Sequence, residues 1–155
     1  NAEDLGEDDR ESHFFIFSDR VFKVTQNVTR HKAKVCLKLN RIGQGTDAEE
    51  IELDISPEDV QSMILICQKT MSFDTYIPSN QKRHNYRYED VELALKYSDE
   101  WGYHLELEVM IDNISQKPAA ENLIRKAAYE LKVDLMTDKQ LAELARTIEA
   151  KYKNT

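Results

Sequence analysis

Between residues 32 and 40 the chain alternates residue by residue, with Val35, Leu37 and Leu39 on one side and Lys34, Cys36 and Lys38 on the other. Alternation with a period of two marks a strand, because successive side chains leave opposite faces of the pleat. After Gly43 and Gly45, which predict a turn, the pattern returns with the charge reversed: Ile51, Leu53 and Ile55 oppose Glu50, Glu52 and Asp54. Between residues 103 and 111, Leu105, Leu107 and Val109 oppose His104, Glu106, Glu108 and Met110. A chain with three such strands is constrained to build a sheet with one apolar face and one ionic face.

Other segments complete the outline. Residues 13 to 25 read as two strand pieces around Ser18 and Asp19, and residues 83 to 88 and 91 to 96 as two more joined at Glu89 and Asp90. Ser56-Pro57-Glu58-Asp59 starts a helix that runs on through Val60, Met63, Ile64 and Cys67. Helices are also predicted over residues 118 to 132 and 138 to 152, the second opened by a Thr137 and Gln140 capping box. The acid-rich residues 1 to 12 read as a solvated loop or helix end. Trp101 and Tyr103 are expected to pack at a strand start.

The 155 residues suit one domain spanning the chain. A net charge of -8 argues against nucleic acid as a partner, although Arg20, Lys23, Arg30, Lys32, Lys34, Lys38 and Arg41 follow one another without an intervening acid and so form a local anion-facing segment. Two cysteines without a CxxC spacing point to a reducing, cytoplasmic home, and no apolar stretch reaches the roughly 20 residues that a membrane span needs. Cys36 lacks a histidine partner for nucleophilic work and reads as structural. His31, His84 and His104 are too scattered for a recognisable metal site.

A strand face of one charge normally meets solvent. Here bases on one strand adjoin acids on the next, and acids recur on a later strand, which suits a sheet curled with its charges inward around counter-ions. A triphosphate chelated to a divalent metal is a natural occupant: lysine and arginine neutralise phosphate oxygens while carboxylates bind Mg2+ or Mn2+.

The run from 32 to 38, the segment Glu49-Glu-Ile-Glu-Leu-Asp-Ile55, the Ser-Pro-Glu-Asp helix opening, Gln81-Lys-Arg-His-Asn-Tyr86 and above all Trp101-Gly-Tyr-His-Leu-Glu-Leu-Glu-Val109 resemble, in order and spacing, the CYTH or triphosphate tunnel family. The resemblance runs from about residue 21 to 152. It implies an α+β fold: an antiparallel strand barrel with a charged interior and helices packed outside. It further implies Lys23, Lys34, Lys38 and Arg83 as phosphate-binding residues, and Glu50, Glu52, Glu106 and Glu108 as ligands of Mg2+ or Mn2+. No catalytic residue is singled out. The implied activity is hydrolysis of inorganic or organic triphosphates. The alternatives are a class IV adenylate cyclase making cyclic AMP from ATP, and a module that binds polyphosphate or nucleotide without chemistry. The implied partner is a small triphosphate or nucleotide, and a homodimer is left open. Against the family pattern, Thr25 and Gln81 stand where bases are usual and Lys96 where an acid is usual. The family's first Glu-x-Glu-x-Lys strand is not found and is expected upstream of Asn1.

Overall fold

The computed structural model describes residues 2–41 and 49–153, so the turn predicted at Gly43 and Gly45 lies outside the described residues. Its strands are β1 (Glu3–Glu7), β2 (Arg10–Ile16), β3 (Val21–Asn27), β4 (Lys32–Lys38), β5 (Glu50–Ile55), β6 (Thr75–Tyr88), β7 (Val91–Ser98) and β8 (Gly102–Glu108). Three helices accompany them: α1 (Val60–Thr70), α2 (Lys117–Leu131) and α3 (Asp138–Tyr152). The strands form one eight-stranded sheet in the order β5-β4-β3-β2-β6-β7-β8, every pairing antiparallel, with β1 joined to β6. The α+β class expected from the pattern is present. The closure into a barrel is not, since among the described residues β5 and β8 end the sheet without pairing to each other.

Strand β6 organises the sheet. Its first half pairs with β2, its second half with β7 on one edge and β1 on the other. Pro78 is tolerated because residues 75–81 have a strand partner on only one side, which leaves room for a residue with no N–H to donate. The acid-rich N-terminus is not the solvated loop its composition suggests. Strands β1 and β2 lie one after the other along β6, and in the link between them the Asp8 N–H donates to the Arg83 carbonyl (2.8 Å).

Helices α1 and α2 cover the apolar face. Val60, Ile64 and Cys67 of α1 pack on Phe15, Val24, Ala33 and Val35, while Ala127 of α2 packs on Val91 and Leu93 with Leu105 and Leu107 beside them. Full burial of each large aliphatic or aromatic side chain contributes about 1.5–3 kcal/mol, so these two clusters fasten the helices to the sheet. Edge strand β5 is left uncovered, with Ile51 and Leu53 exposed. Helix α3, with both halves of its Thr137 and Gln140 capping box formed, crosses to the opposite face. There Ile148 packs on Ile16, Val21 and Ile77, with Trp101, Leu144 and Tyr152 around them. Trp101 thus packs as expected, whereas Tyr103 is exposed. Among the described residues no helix is long and apolar enough to cross a membrane.

Candidate functional site

Strand register gathers the predicted residues on one face. Lys38 lies opposite Val21 and Glu50, Cys36 opposite Lys23 and Glu52, and Lys34 opposite Thr25 and Asp54, so β3, β4 and β5 set bases beside acids in successive rows. Beyond β6, Lys96 lies opposite Arg83 and His104, Ala94 opposite Asn85 and Glu106, and Glu92 opposite Arg87 and Glu108. Side-chain alternation puts all of these on the face that α1 and α2 leave open, and α3 closes one end of it.

Ion pairs interlock the rows. Lys38 Nζ lies 3.0 Å from Glu50 Oε1, Lys34 donates to Glu52, and Lys96 donates to Glu106, whose other oxygen is 3.9 Å from His104 Nε2. Two lysines lose part or all of their water, Lys96 buried and Lys23 half-buried. Burial pushes the Lys23 pKa down, against the pull of Cys36 and Glu50. Burial likewise brings Lys96 down to about 8, against the pull of Glu106. Lys96 also feels the charges of Arg83 and of Lys23, although Lys23 stands on β3, separated from β7 by β2 and β6. The β3–β5 lobe and the β6–β8 lobe thus present one charged face, a trough lined by both signs.

The acids respond to these neighbours. Burial works to raise the Glu106 pKa, but Lys96, Arg83 and His104 outweigh it and hold the carboxyl below its ordinary value. Glu50 behaves alike, with Lys38 and Lys23 outweighing burial. A carboxylate oxygen from each of Glu50 and Glu52 and the sulfur of Cys36 lie within 4.8 Å of one another, and the Cys36 thiol donates to Glu50 Oε2 at 3.5 Å. The two carboxylates of this group offer oxygen ligands that could hold a divalent cation.

Several residues at the trough escape a sequence reading. The Asp8 carboxylate receives Arg10, Asn27 and Asn85, with Arg30 Nε at 3.2 Å and Arg83 Nε at 3.4 Å. Nothing in a run of six acids within twelve residues marks Asp8 as the buried one; the neighbouring Arg10 was the available hint. Glu100, in the turn before β8, ties the α3 end by accepting from Ser79 (2.6 Å) and Tyr152 (3.4 Å).

The fold has relatives among solved structures. The PH1012 protein from Pyrococcus horikoshii OT3 superposes with a TM-score of 0.68 at 17% identity, over 90% of this chain and 86% of that one. A protein from Vibrio parahaemolyticus described as a candidate adenylate cyclase gives 0.62 at 13% identity, over 92% and 85%. A Hippeastrum candidate adenylyl cyclase, whose structure is described as revealing a dominant triphosphatase activity, gives 0.52 at 15% identity, over 86% of each. No curated protein sequence matches the chain. The model of the CYTH domain family matches residues 18–152, which take in strands β3 to β8 and all three helices, and the chain belongs to that family.

Proposed function

We propose that this chain binds a triphosphate, inorganic or carried on a small organic group, in the charged trough and hydrolyses it with the help of Mg2+ or Mn2+. One observation carries the reading: bases and acids from six strands share a single face, where most of their side chains stay partly open to solvent and so can meet both phosphate oxygens and a cation. In this reading Lys23, Lys34, Lys38 and Arg83 bind phosphate oxygens. Glu50 and Glu52 hold the divalent ion, whose contribution is to neutralise phosphate charge and favour deprotonation of water. Glu106 and Glu108 form the trough's second acidic pair. Positioning and electrostatic stabilisation suffice for phosphoryl transfer, so no covalent nucleophile is needed. The triphosphatase activity described for the Hippeastrum relative agrees with this reading.

The test is to incubate the full chain with tripolyphosphate, ATP or thiamine triphosphate, with Mg2+ or Mn2+, and to measure phosphate and cyclic AMP. Phosphate release that disappears in Glu50→Gln supports the hydrolase. Cyclic AMP from ATP makes the chain a cyclase. Binding without product leaves a non-catalytic module. The absence of both product and any rise in melting temperature with these ligands overturns the reading, because a ligand bound only by the folded state must stabilise it.

A further inference from the structure

The two acidic pairs of the trough differ in how their counter-ions are held. At Glu50 and Glu52 two carboxylate oxygens converge with the Cys36 sulfur; the lysines paired with these acids are 40% exposed (Lys38) and 32% exposed (Lys34), and Lys23 beside them is half-buried. Lys34 and Lys38 can swing into water as a divalent ion arrives. In the other lobe Glu106 is held by Lys96, whose side chain is only 8% exposed, with Arg83 and His104 adding positive or potentially positive charge beside it. His104, Glu106, Glu108 and Glu92 are all described, yet no three of their ligand atoms come together. A buried ammonium has no solvent to withdraw into, so taking Glu106 from Lys96 would strand a charge at the floor of the trough. A cation fits this lobe, and it is already part of the chain.

We propose that Lys96 is the resident cation of the Glu106 lobe, so that the trough takes one divalent ion, at Glu50 and Glu52, and none at Glu106 and Glu108. The inference rests on reading the trough as a divalent-ion and triphosphate site, and it decides where in that site the ion sits. Sites with two ions clamp the reacting phosphate from both sides with metal. Here one side is clamped by Lys96 and Arg83, two cations that need no loading from solution.

The test uses Mn2+ alone, with no phosphate present, titrated into the full chain and followed by the loss of the free-ion electron paramagnetic resonance signal. The wild type binds one ion. Glu50→Gln and Glu52→Gln weaken that binding tenfold or more, and Glu106→Gln changes it less than twofold. Lys96→Glu, which swaps the resident cation for a third carboxylate, adds a second ion. Two ions in the wild type, no ion in the wild type, or loss of binding in Glu106→Gln overturns the proposal. Should Lys96→Glu fail to fold, the contrast between Glu50→Gln and Glu106→Gln decides alone. Because no triphosphate is present, the result separates from the turnover assay: one ion without turnover upholds this inference and refutes the hydrolase, and turnover with two ions does the reverse.

Discussion

Asp8 Oδ2 accepts a hydrogen bond from Arg10 Nη2 at 2.5 Å, where the link from β1 enters β2. The Asp8 side chain is 1% exposed. Burial alone would raise its pKa, but Asn27, Arg10 and Asn85 outweigh burial and bring it below the ordinary 3.8. A depressed carboxyl contributes stability that is present above its unfolded pKa and lost as pH falls through the folded one. Asp8→Asn leaves Arg10, Arg30 and Arg83 without their shared counter-ion, and breaking a buried pair costs about 3–5 kcal/mol. Urea unfolding at pH 7 should show that loss, and the variant's stability should fall less steeply than the wild type's below about pH 4. A variant as stable as the wild type at pH 7 removes Asp8 from this role.

Helix α3 is held to the trough by an apolar contact and an ionic one. Ile148 is 1% exposed among Ile16, Val21 and Ile77, and both oxygens of Glu149 accept from Arg41 Nη2, at 2.6 and 2.5 Å. Truncating a buried isoleucine costs about 2–5 kcal/mol, whereas loss of a partly exposed charge pair costs about 1–3 kcal/mol. Ile148→Ala should therefore destabilise more than Glu149→Ala, as read from denaturant midpoints. Amide exchange should quicken across α3 in both variants and stay slow in β6. The reverse ranking would mean that the ion pair, and not the apolar contact, seats the helix.

Much of this arrangement is legible in the chain because period-two alternation is a local property. Residues 34 to 38, 50 to 54 and 104 to 108 announce their faces directly, and register does the rest. What cannot be read locally is which neighbour each face meets. Leu53 alternates as well as Val35 does, yet Val35 is buried under α1 and Leu53 is exposed on the sheet's edge. Asp8 reads as one more surface acid, since its burial depends on Asn27, Asn85 and Arg83 arriving from β3 and β6. Lys96 is visible as a departure from the family pattern, but its pairing with Glu106 and its desolvation follow only from the packing of β7 between β6 and β8.

Lys96 should give the protein a distinctive alkaline profile. Its pKa is brought down to about 8 from an ordinary 10.5, so between those values the unfolded chain binds a proton that the folded chain has released. Stability therefore rises with pH in that window. Lys23 shifts in the same direction, while the thiols of Cys36 and Cys67, raised above 9.0 by burial, oppose the trend at the upper end. Melting temperature should accordingly climb from about pH 7.5 to 9, and Lys96→Met should flatten the climb. Tripolyphosphate binding should move the opposite way, weakening over the same range as the ammonium is lost, as calorimetry would show. A binding curve with the same pH dependence in Lys96→Met and wild type would take Lys96 out of the anion site.

Lys23 and Lys38 carry the same charge in different surroundings, and that difference predicts different consequences for the same substitution. Burial depresses the Lys23 pKa, whereas Lys38 is 40% exposed and paired with Glu50 at the open side of the trough. A charge removed from water acts through a less polar medium and is screened less by salt. Lys23→Met should weaken tripolyphosphate binding tenfold or more, about 1.4 kcal/mol, and Lys38→Met less than about threefold. Raising the salt concentration should erase the Lys38 effect and leave most of the Lys23 effect. The fold should respond in the opposite sense, because methionine carries no desolvated charge: Lys23→Met should melt at a higher temperature than the wild type. A lysine kept at a cost to stability is the mark of a residue retained for binding. A Lys23→Met protein that melts lower and binds tripolyphosphate as well as the wild type would show that the ammonium serves the sheet and not the ligand.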